Sequence, residues 1–177
     1  TWLYLSDRLI QFPMGLFGVA IALVALPDIT ELYIKKDSKN FNKTFLRGSL
    51  STLILGLATM IFYLLFSTEI ISLLFKRGEF QEFDVAMTSA SLVAYAYALP
   101  FLLNSKFFNS IFFATSKTKF VLLLGIVSLF INLLLNYLFI FIFGMGHVGL
   151  ALATTCAALI VWLLSIIFLI YLRKSLA

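Results

Sequence analysis

The stretch VGLALATTCAALIVWLLSIIFLIYL, residues 148–172, contains no charged side chain and is long enough to cross a lipid bilayer. A spanning helix needs about 20 mostly apolar residues. Hydrocarbon offers backbone groups no hydrogen-bond partner, so only a helix or a closed barrel can cross it. The run is too long for a barrel strand and does not alternate between apolar and polar residues. It therefore predicts a transmembrane helix.

Four more runs of this kind precede it, and together the five account for most of the chain. We predict helices at about 3–27, 48–74, 85–104, 120–143 and 148–172, with a cytoplasmic loop at 28–47. The 177 residues are 62% hydrophobic and 12% charged, whereas soluble domains are about 45–50% apolar and about 25% charged. The predicted fold class is an all-α membrane protein with five transmembrane helices.

Basic residues are concentrated in alternate connections between these helices. Ten of the 13 are Lys35, Lys36, Lys39, Lys43, Arg47, Lys106, Lys117, Lys119, Arg173 and Lys174. Because basic residues accumulate in cytoplasmic loops, we expect these connections and the C-terminus inside the cell and the N-terminus outside. This pattern explains the net charge of +5 better than nucleic-acid binding does. The loop at 28–47 is either an amphipathic segment on the inner leaflet or a solvated linker.

No residue pattern indicates an enzyme or a metal site. The chain has one His and one Cys, and Cys156 lies in an apolar run where a core residue is expected. A Ser/His/Asp set, an HExxH motif, a Gly-rich phosphate loop and a Cys/His cluster are all missing. The sequence therefore predicts no catalytic residue, no metal and no cofactor.

Asp7 and Arg8 lie side by side within the first predicted helix. A charge in hydrocarbon costs roughly 2.5 to 3.5 kcal/mol on insertion scales. Two interpretations are open. The pair marks the outer interface, with Trp2 and Tyr4 in an aromatic belt, or it faces a water-filled cavity. In a cavity, Arg8 would bind phosphate through two N–H groups, and Asp7 would hold Arg8 or a nearby cation.

A bend is expected just after this pair. Pro13 removes one helical hydrogen bond and clashes with the preceding turn, which predicts a kink near residues 10–12. Gly15 and Gly18 follow and allow bending or close helix contact. These residues serve either packing alone or a moving transporter element.

Three polar residues in later helices are further candidates. Lys106 either extends to the inner interface or adds a second cation at a cavity mouth. Asn132 and Asn136 are four residues apart, on one face of the fourth predicted helix. Amides in lipid seek a partner helix or water, so this pair either joins helices or lines a cavity.

Five motifs occur in an order that resembles a known family. They are SDRLIQFPMGLFGVAIALVALP, ISLLFKRGEF, AYAYALP, SLFINLLLN and GHVGLALAT. In this order they are similar to the MurJ/MviN lipid II flippases, part of the multidrug/oligosaccharidyl-lipid/polysaccharide exporter superfamily. The resemblance extends over nearly the whole chain.

The resemblance implies a fold of fourteen helices, with two six-helix lobes around a central cavity and two further helices. This chain would be helices eight to twelve, most of the second lobe, and its start without Met fits an excerpt. The implied function is transport without chemical change, so the protein would not be an enzyme. Lipid II, an undecaprenyl-pyrophosphate-linked peptidoglycan precursor, would move between leaflets of the bacterial inner membrane by alternating access. The implied partners are lipid II, membrane lipids and the N-terminal lobe, with no nucleic acid.

The resemblance also implies roles for the candidate residues. Arg8 would bind the pyrophosphate with Asp7 beside it, and Lys106 falls where the family often has a basic residue. The bend and the paired asparagines of the family match Pro13, Gly15, Gly18, Asn132 and Asn136.

Gln11 departs from the family pattern, because some members have Glu at that position, and this puts a proton- or cation-linked role there in doubt. Other functions are also compatible with the sequence. They are export of another polyprenyl-linked glycan or of drugs, and a membrane scaffold for cell-wall enzymes without transport.

Overall fold

A computed structural model describes the backbone of residues 1–176 and the side chains of residues 1–171, positions 19 and 22 excepted. Within this part the chain is helical almost throughout and contains no strand. The α-helices are α1 (Trp2–Pro13), α2 (Ala20–Ile34), α3 (Ser38–Phe75), α4 (Glu82–Ala96), α5 (Leu99–Ala114), α6 (Thr118–Tyr137) and α7 (Gly146–Leu176). Short π-helical stretches follow α1 at Met14–Val19 and α6 at Leu138–Ile142. The predicted all-α class is confirmed.

The described helices provide up to five membrane spans. Three are long and apolar enough to cross a membrane alone: Ser38–Phe75, Thr118–Ile142 and Gly146–Tyr171. Two bent pairs each pass the same test as one span: Trp2–Gly18 with Leu23–Ile34, and Glu82–Ala96 with Leu99–Ala114. Five is the number of spans that the sequence predicts.

Successive spans run in opposite directions, so the connections meet at two ends of the bundle. At one end, the Trp2 indole Nε1 donates to Asp84 Oδ1 of α4 at 2.8 Å, and the Trp2 ring lies 5.1 Å from the His147 ring of α7. At the other end, Phe41, Phe112 and Leu169 share one apolar core. The connections around residues 35–37 and 115–117 therefore lie at the same end. Arg173 and Lys174 fall outside the described side chains.

The predicted loop at 28–47 is wrong over most of its length, because it is helical. α2 continues to Ile34 and α3 begins at Ser38, so three residues connect them. Lys36 turns the chain with a φ of 54°. The Asp37 carboxylate caps α3 by accepting a hydrogen bond from Asn40 N at 3.1 Å, which holds the pKa of Asp37 below its ordinary value. Polar residues here extend two helices beyond the apolar spans, and hydropathy does not distinguish such extensions from a loop.

The third predicted helix, 85–104, is also longer than expected, and it is broken. α4 and α5 meet at an angle of 46°, and α5 continues to Ala114. Pro100 lies in the first turn of α5, where a missing N–H is tolerated. The Ala94 carbonyl at the break accepts a hydrogen bond from Thr155 Oγ1 of α7 at 2.8 Å. Polar Asn104 and Lys106 interrupt the apolar pattern, which is why the prediction ended this helix too early.

Small residues of α3 let it approach α5 closely. Gly48, Thr52 and Gly56 are spaced four apart and so lie on one face. A Cβ added at Gly56 would lie 2.5 Å from Pro100 Cα, and one at Gly48 would lie 2.3 Å from Phe107 Cζ. The Pro100 backbone cannot move aside, so position 56 requires glycine, whereas a side chain at position 48 would require the far end of the Phe107 ring to shift. α5 is thereby placed at the centre of the bundle.

Candidate functional site

Four side chains of α1 form what we call the α1 polar face: Tyr4, Asp7, Arg8 and Gln11. Residues three and four apart are neighbours on a helix, so Gln11 lies one turn beyond both charged residues. Gln11 Nε2 donates to Asp7 Oδ2, and Arg8 Nη1 donates to Gln11 Oε1 at 3.4 Å. The guanidinium carbon lies 5.0 Å from the centre of the Tyr4 ring. Among the described residues Asp7 and Arg8 form no direct ion pair, and Gln11 connects them instead.

The opposite side of α1 packs into the bundle. Ser6 and Ile10 are buried, and Ser6 Oγ donates to the Thr88 carbonyl of α4 at 2.8 Å. Arg8 is exposed and Asp7 is half-buried. The α1 polar face therefore points away from the described helices, towards whatever lies beside them in the membrane.

Arg8 lies in the first helix of the candidate span formed by Trp2–Gly18 and Leu23–Ile34. It is six positions after Trp2, which at 1.5 Å per residue is about 9 Å along the helix. A guanidinium carries five N–H donors, and one hydrogen bond to Gln11 leaves most of them free. Such a group binds phosphate or carboxylate through two parallel hydrogen bonds. Within the described residues no group of three or more His, Cys, Asp or Glu side chains could hold a metal ion.

The bend after this face lies later than the sequence predicts. α1 is regular through residues 10–12, so the predicted kink there is wrong. The chain instead widens into a π-helix at Met14–Val19, and the axis turns by 44° between Trp2–Gly18 and Leu23–Ile34. Pro13 removes the N–H that would bond the Leu9 carbonyl, but Tyr63 Oη of α3 donates to that carbonyl at 2.7 Å. The carbonyl is satisfied from outside, and the helix stays regular up to the proline.

Gly18 and Lys106 meet where the bent span crosses α5. A Cβ at Gly18 would lie 3.2 Å from Leu103 Cδ2 and 3.3 Å from Lys106 Cγ. Lys106 is exposed and lines a groove of about 380 Å³ with Gly18, Leu26 and other residues of the two elements. Gly15 is exposed and has open space around it. The close approach of α5 therefore explains the glycine at position 18, whereas no neighbour in the described part of the chain explains the glycine at position 15.

Asn132 connects α6 to α7, because its Nδ2 donates to Thr154 Oγ1 of α7 at 3.1 Å. Asn136 Nδ2 donates to Asn132 Oδ1 at 3.0 Å within α6. Asn136 Oδ1 is buried and has no hydrogen-bond partner among the described residues. One of the two bonds therefore joins two helices, and neither α6 nor α7 carries Arg8 or Lys106.

Two residues important for the architecture were not predicted from the sequence. Tyr63 satisfies the carbonyl freed by Pro13, and fully buried Asn104 connects three helices. Asn104 Nδ2 donates to Thr52 Oγ1 at 2.7 Å, and its Oδ1 accepts from Trp162 Nε1 at 2.7 Å. The proline signals that a free carbonyl exists, but no local pattern names a donor more than fifty residues away.

A family model described as "Lipid II flippase MurJ" matches residues 1–177. The chain belongs to this family. It is 36% identical over 158 residues to the probable lipid II flippase MurJ of Vibrio cholerae, an alignment that covers 89% of this chain and 30% of that protein. It is 31% identical over 157 residues to the lipid II flippase MurJ of Thermosipho africanus, covering 88% of this chain and 31% of that protein.

The fold agrees with this membership. A solved structure described as "Lipid II flippase MurJ, inward closed conformation" superposes with a TM-score of 0.85 at 28% identity. That match covers 95% of this chain and 35% of the other. The chain thus spans about a third of the length of the relatives it matches. The family resemblance inferred from the five sequence motifs is confirmed, and the family is named for a membrane transporter.

Proposed function

We propose that a protein carrying this chain with the rest of the family's length moves lipid II across the bacterial cytoplasmic membrane. Lipid II would pass from the inner to the outer leaflet by alternating access of two lobes, with this chain supplying most of the second. No bond of the substrate is made or broken, so the protein acts as a transporter and not as an enzyme. Membership of the lipid II flippase family supports this proposal.

The single observation that carries the proposal at the residue level is the exposed Arg8 guanidinium within a membrane span. An unpaired charge within the hydrocarbon of a membrane is costly. That cost is removed if Arg8 faces an aqueous cavity between this chain and the part of the full-length family protein that it does not include. Arg8 would bind the pyrophosphate bidentately, with Asp7 beside it and Lys106 as a second cation. Residues 13–18 would let the span bend as the protein changes between the two states of alternating access.

The proposal is tested by replacing Arg8 in the full-length protein. Arg8→Ala should abolish growth of a strain depleted of its own lipid II flippase, and Arg8→Lys should also be impaired because Lys cannot form the bidentate contact. In proteoliposomes, lipid II exposure at the outer face should fall in parallel. Normal growth and normal exposure with Arg8→Ala would show that Arg8 does not bind the substrate.

A matched control is Lys76→Ala, because Lys76 is exposed at the connection between α3 and α4 and pairs there with Glu82. Like Arg8→Ala, this variant removes one positive charge, and it should support growth. If wild-type protein exposes no lipid II in proteoliposomes yet still rescues growth, the scaffold function replaces transport. Exposure of a different polyprenyl-linked glycan in the same assay would instead reassign the substrate.

A further inference from the structure

The side-chain amide of Gln11 forms hydrogen bonds with both charged residues of the α1 polar face. It donates to Asp7 Oδ2 through Nε2 and accepts from Arg8 Nη1 through Oε1. An amide offers both a donor and an acceptor at every pH. A carboxylate in its place would accept from Arg8 but would meet Asp7 as a second negative charge.

Helical spacing makes Gln11 the polar neighbour that both charged residues share. It is four residues after Asp7 and three after Arg8, the two spacings at which side chains meet on a helix. On the other side, Tyr4 contributes its ring face to Arg8 at 5.0 Å. The guanidinium is therefore held between a ring and an amide oxygen, lying along the helix, while its remaining donors point outward.

We propose that Gln11 is a positioning residue that orients the Arg8 guanidinium and keeps Asp7 from neutralising it, so that Arg8 receives a lipid-linked pyrophosphate as a free cation. This inference rests on the proposed function, because it assumes that Arg8 is the group that binds the substrate. Gln11 acts through Arg8 and does not itself touch the substrate.

The proposal has a consequence for pH. In a Gln11→Glu variant, the protonated carboxyl reproduces the amide, since its O–H donates to Asp7 and its carbonyl accepts from Arg8. The ionised carboxyl repels Asp7 and pairs with Arg8, which competes with the pyrophosphate. Substrate affinity of this variant, relative to the parent protein, should rise as pH falls through the pKa of the new carboxyl.

Other charged and titratable groups near this site are few. Tyr95 of α4 interacts electrostatically with the Asp7 carboxylate, and Tyr63 of α3 contacts α1 at the Leu9 carbonyl. Asp84 and His147 lie at Trp2, more than one helical turn towards the end of the bundle. These four groups are present in both the parent protein and the Gln11→Glu variant. The ratio of the two substrate affinities therefore reports the effect of the residue at position 11.

The test measures binding of undecaprenyl pyrophosphate to full-length protein in lipid nanodiscs, from about pH 4 to pH 8, a range that includes the ordinary Glu pKa of about 4.3. Gln11→Leu keeps the size of the side chain and removes both hydrogen bonds. It should bind about tenfold more weakly, the effect of one hydrogen bond to a charged group. Gln11→Glu should bind weakly at neutral pH and approach the parent protein at acidic pH. Leu129→Ala, at an exposed position of α6 away from the α1 polar face, is the control and should bind normally.

A second background separates this inference from the function on which it rests. In an Arg8→Ala protein, Gln11→Leu should have no further effect on binding, because its route to the substrate is gone. If Arg8→Ala itself binds normally, the proposed role of Arg8 is wrong. If Arg8→Ala binds poorly but Gln11→Leu binds normally, or if Gln11→Glu has the same pH profile as the parent, Gln11 is not a positioning residue.

Discussion

α5 and α6 are both strongly apolar helices, yet they occupy opposite kinds of environment. Nine of the 16 residues of α5 are buried, including Asn104 and three phenylalanines, whereas no residue of α6 is buried in the described structure. The less apolar of the two helices is thus the central one. In lipid an exposed apolar side chain loses nothing, so packing follows shape and hydrogen bonds and not apolarity alone.

The largest loss of stability should come from a larger side chain at the close contact between α3 and α5. Gly56→Leu would place a Cβ 2.5 Å from Pro100 Cα, and backbone atoms there cannot move aside. We expect a loss of at least about 3 kcal/mol in the free energy of unfolding, as for severe overpacking, seen as a large drop in melting temperature in detergent.

Gly125→Leu is the control on α6, because a Cβ at Gly125 meets nothing within 4 Å. It should leave the melting temperature nearly unchanged. Equal losses at Gly56 and Gly125 would show that the exposed side of α6 is covered in the full-length protein, and the contrast between the two helices would then disappear.

A smaller effect should come from the hydrogen bonds of Asn104. Asn104→Leu leaves the Trp162 indole N–H without its acceptor and removes the hydrogen bond to Thr52 Oγ1, at an expected cost of about 2 kcal/mol for a buried donor left unpaired. Asn132→Leu on α6 removes one interhelical bond and should cost about 0.6 kcal/mol, the average for such bonds in membranes. The melting temperatures of the two variants compare these losses of stability. A larger loss for Asn132→Leu than for Asn104→Leu would contradict the central position of α5.

An effect smaller than that of Asn104→Leu should come from a single hydroxyl. Tyr63→Phe removes the hydrogen bond to the Leu9 carbonyl and should cost about 1 kcal/mol. In a Pro13→Ala background the new N–H at position 13 bonds that carbonyl within the helix, so Tyr63→Phe should cost less. Melting temperatures of the parent protein, the two single variants and the double variant test this prediction. If Tyr63→Phe costs the same stability in both backgrounds, Tyr63 does not compensate for the proline.

The candidate site was predictable to the extent that its residues are neighbours in sequence. Asp7 and Arg8 stand out because charges are rare in apolar runs, and Gln11 falls within one turn of both. In the cavity interpretation Asp7 would hold Arg8 or a nearby cation, and the sequence does not show that Gln11 bridges the two side chains, since the direction of a side chain depends on all neighbours at once. The meeting of Gly18 with Lys106 joins residues far apart in the chain, and no local pattern specifies it.

Apolar run length predicts an all-α membrane protein with five spans, because backbone groups in lipid find hydrogen-bond partners only within helices. The order of the motifs indicates the family. Three features could not be read from the sequence: the stretch at 28–47 is mostly helical, α5 is central and α6 peripheral, and Tyr63 satisfies the carbonyl freed by Pro13. Hydropathy reports transfer into lipid, which is the same for a buried and a lipid-facing leucine, whereas small residues and buried hydrogen bonds select which helices meet.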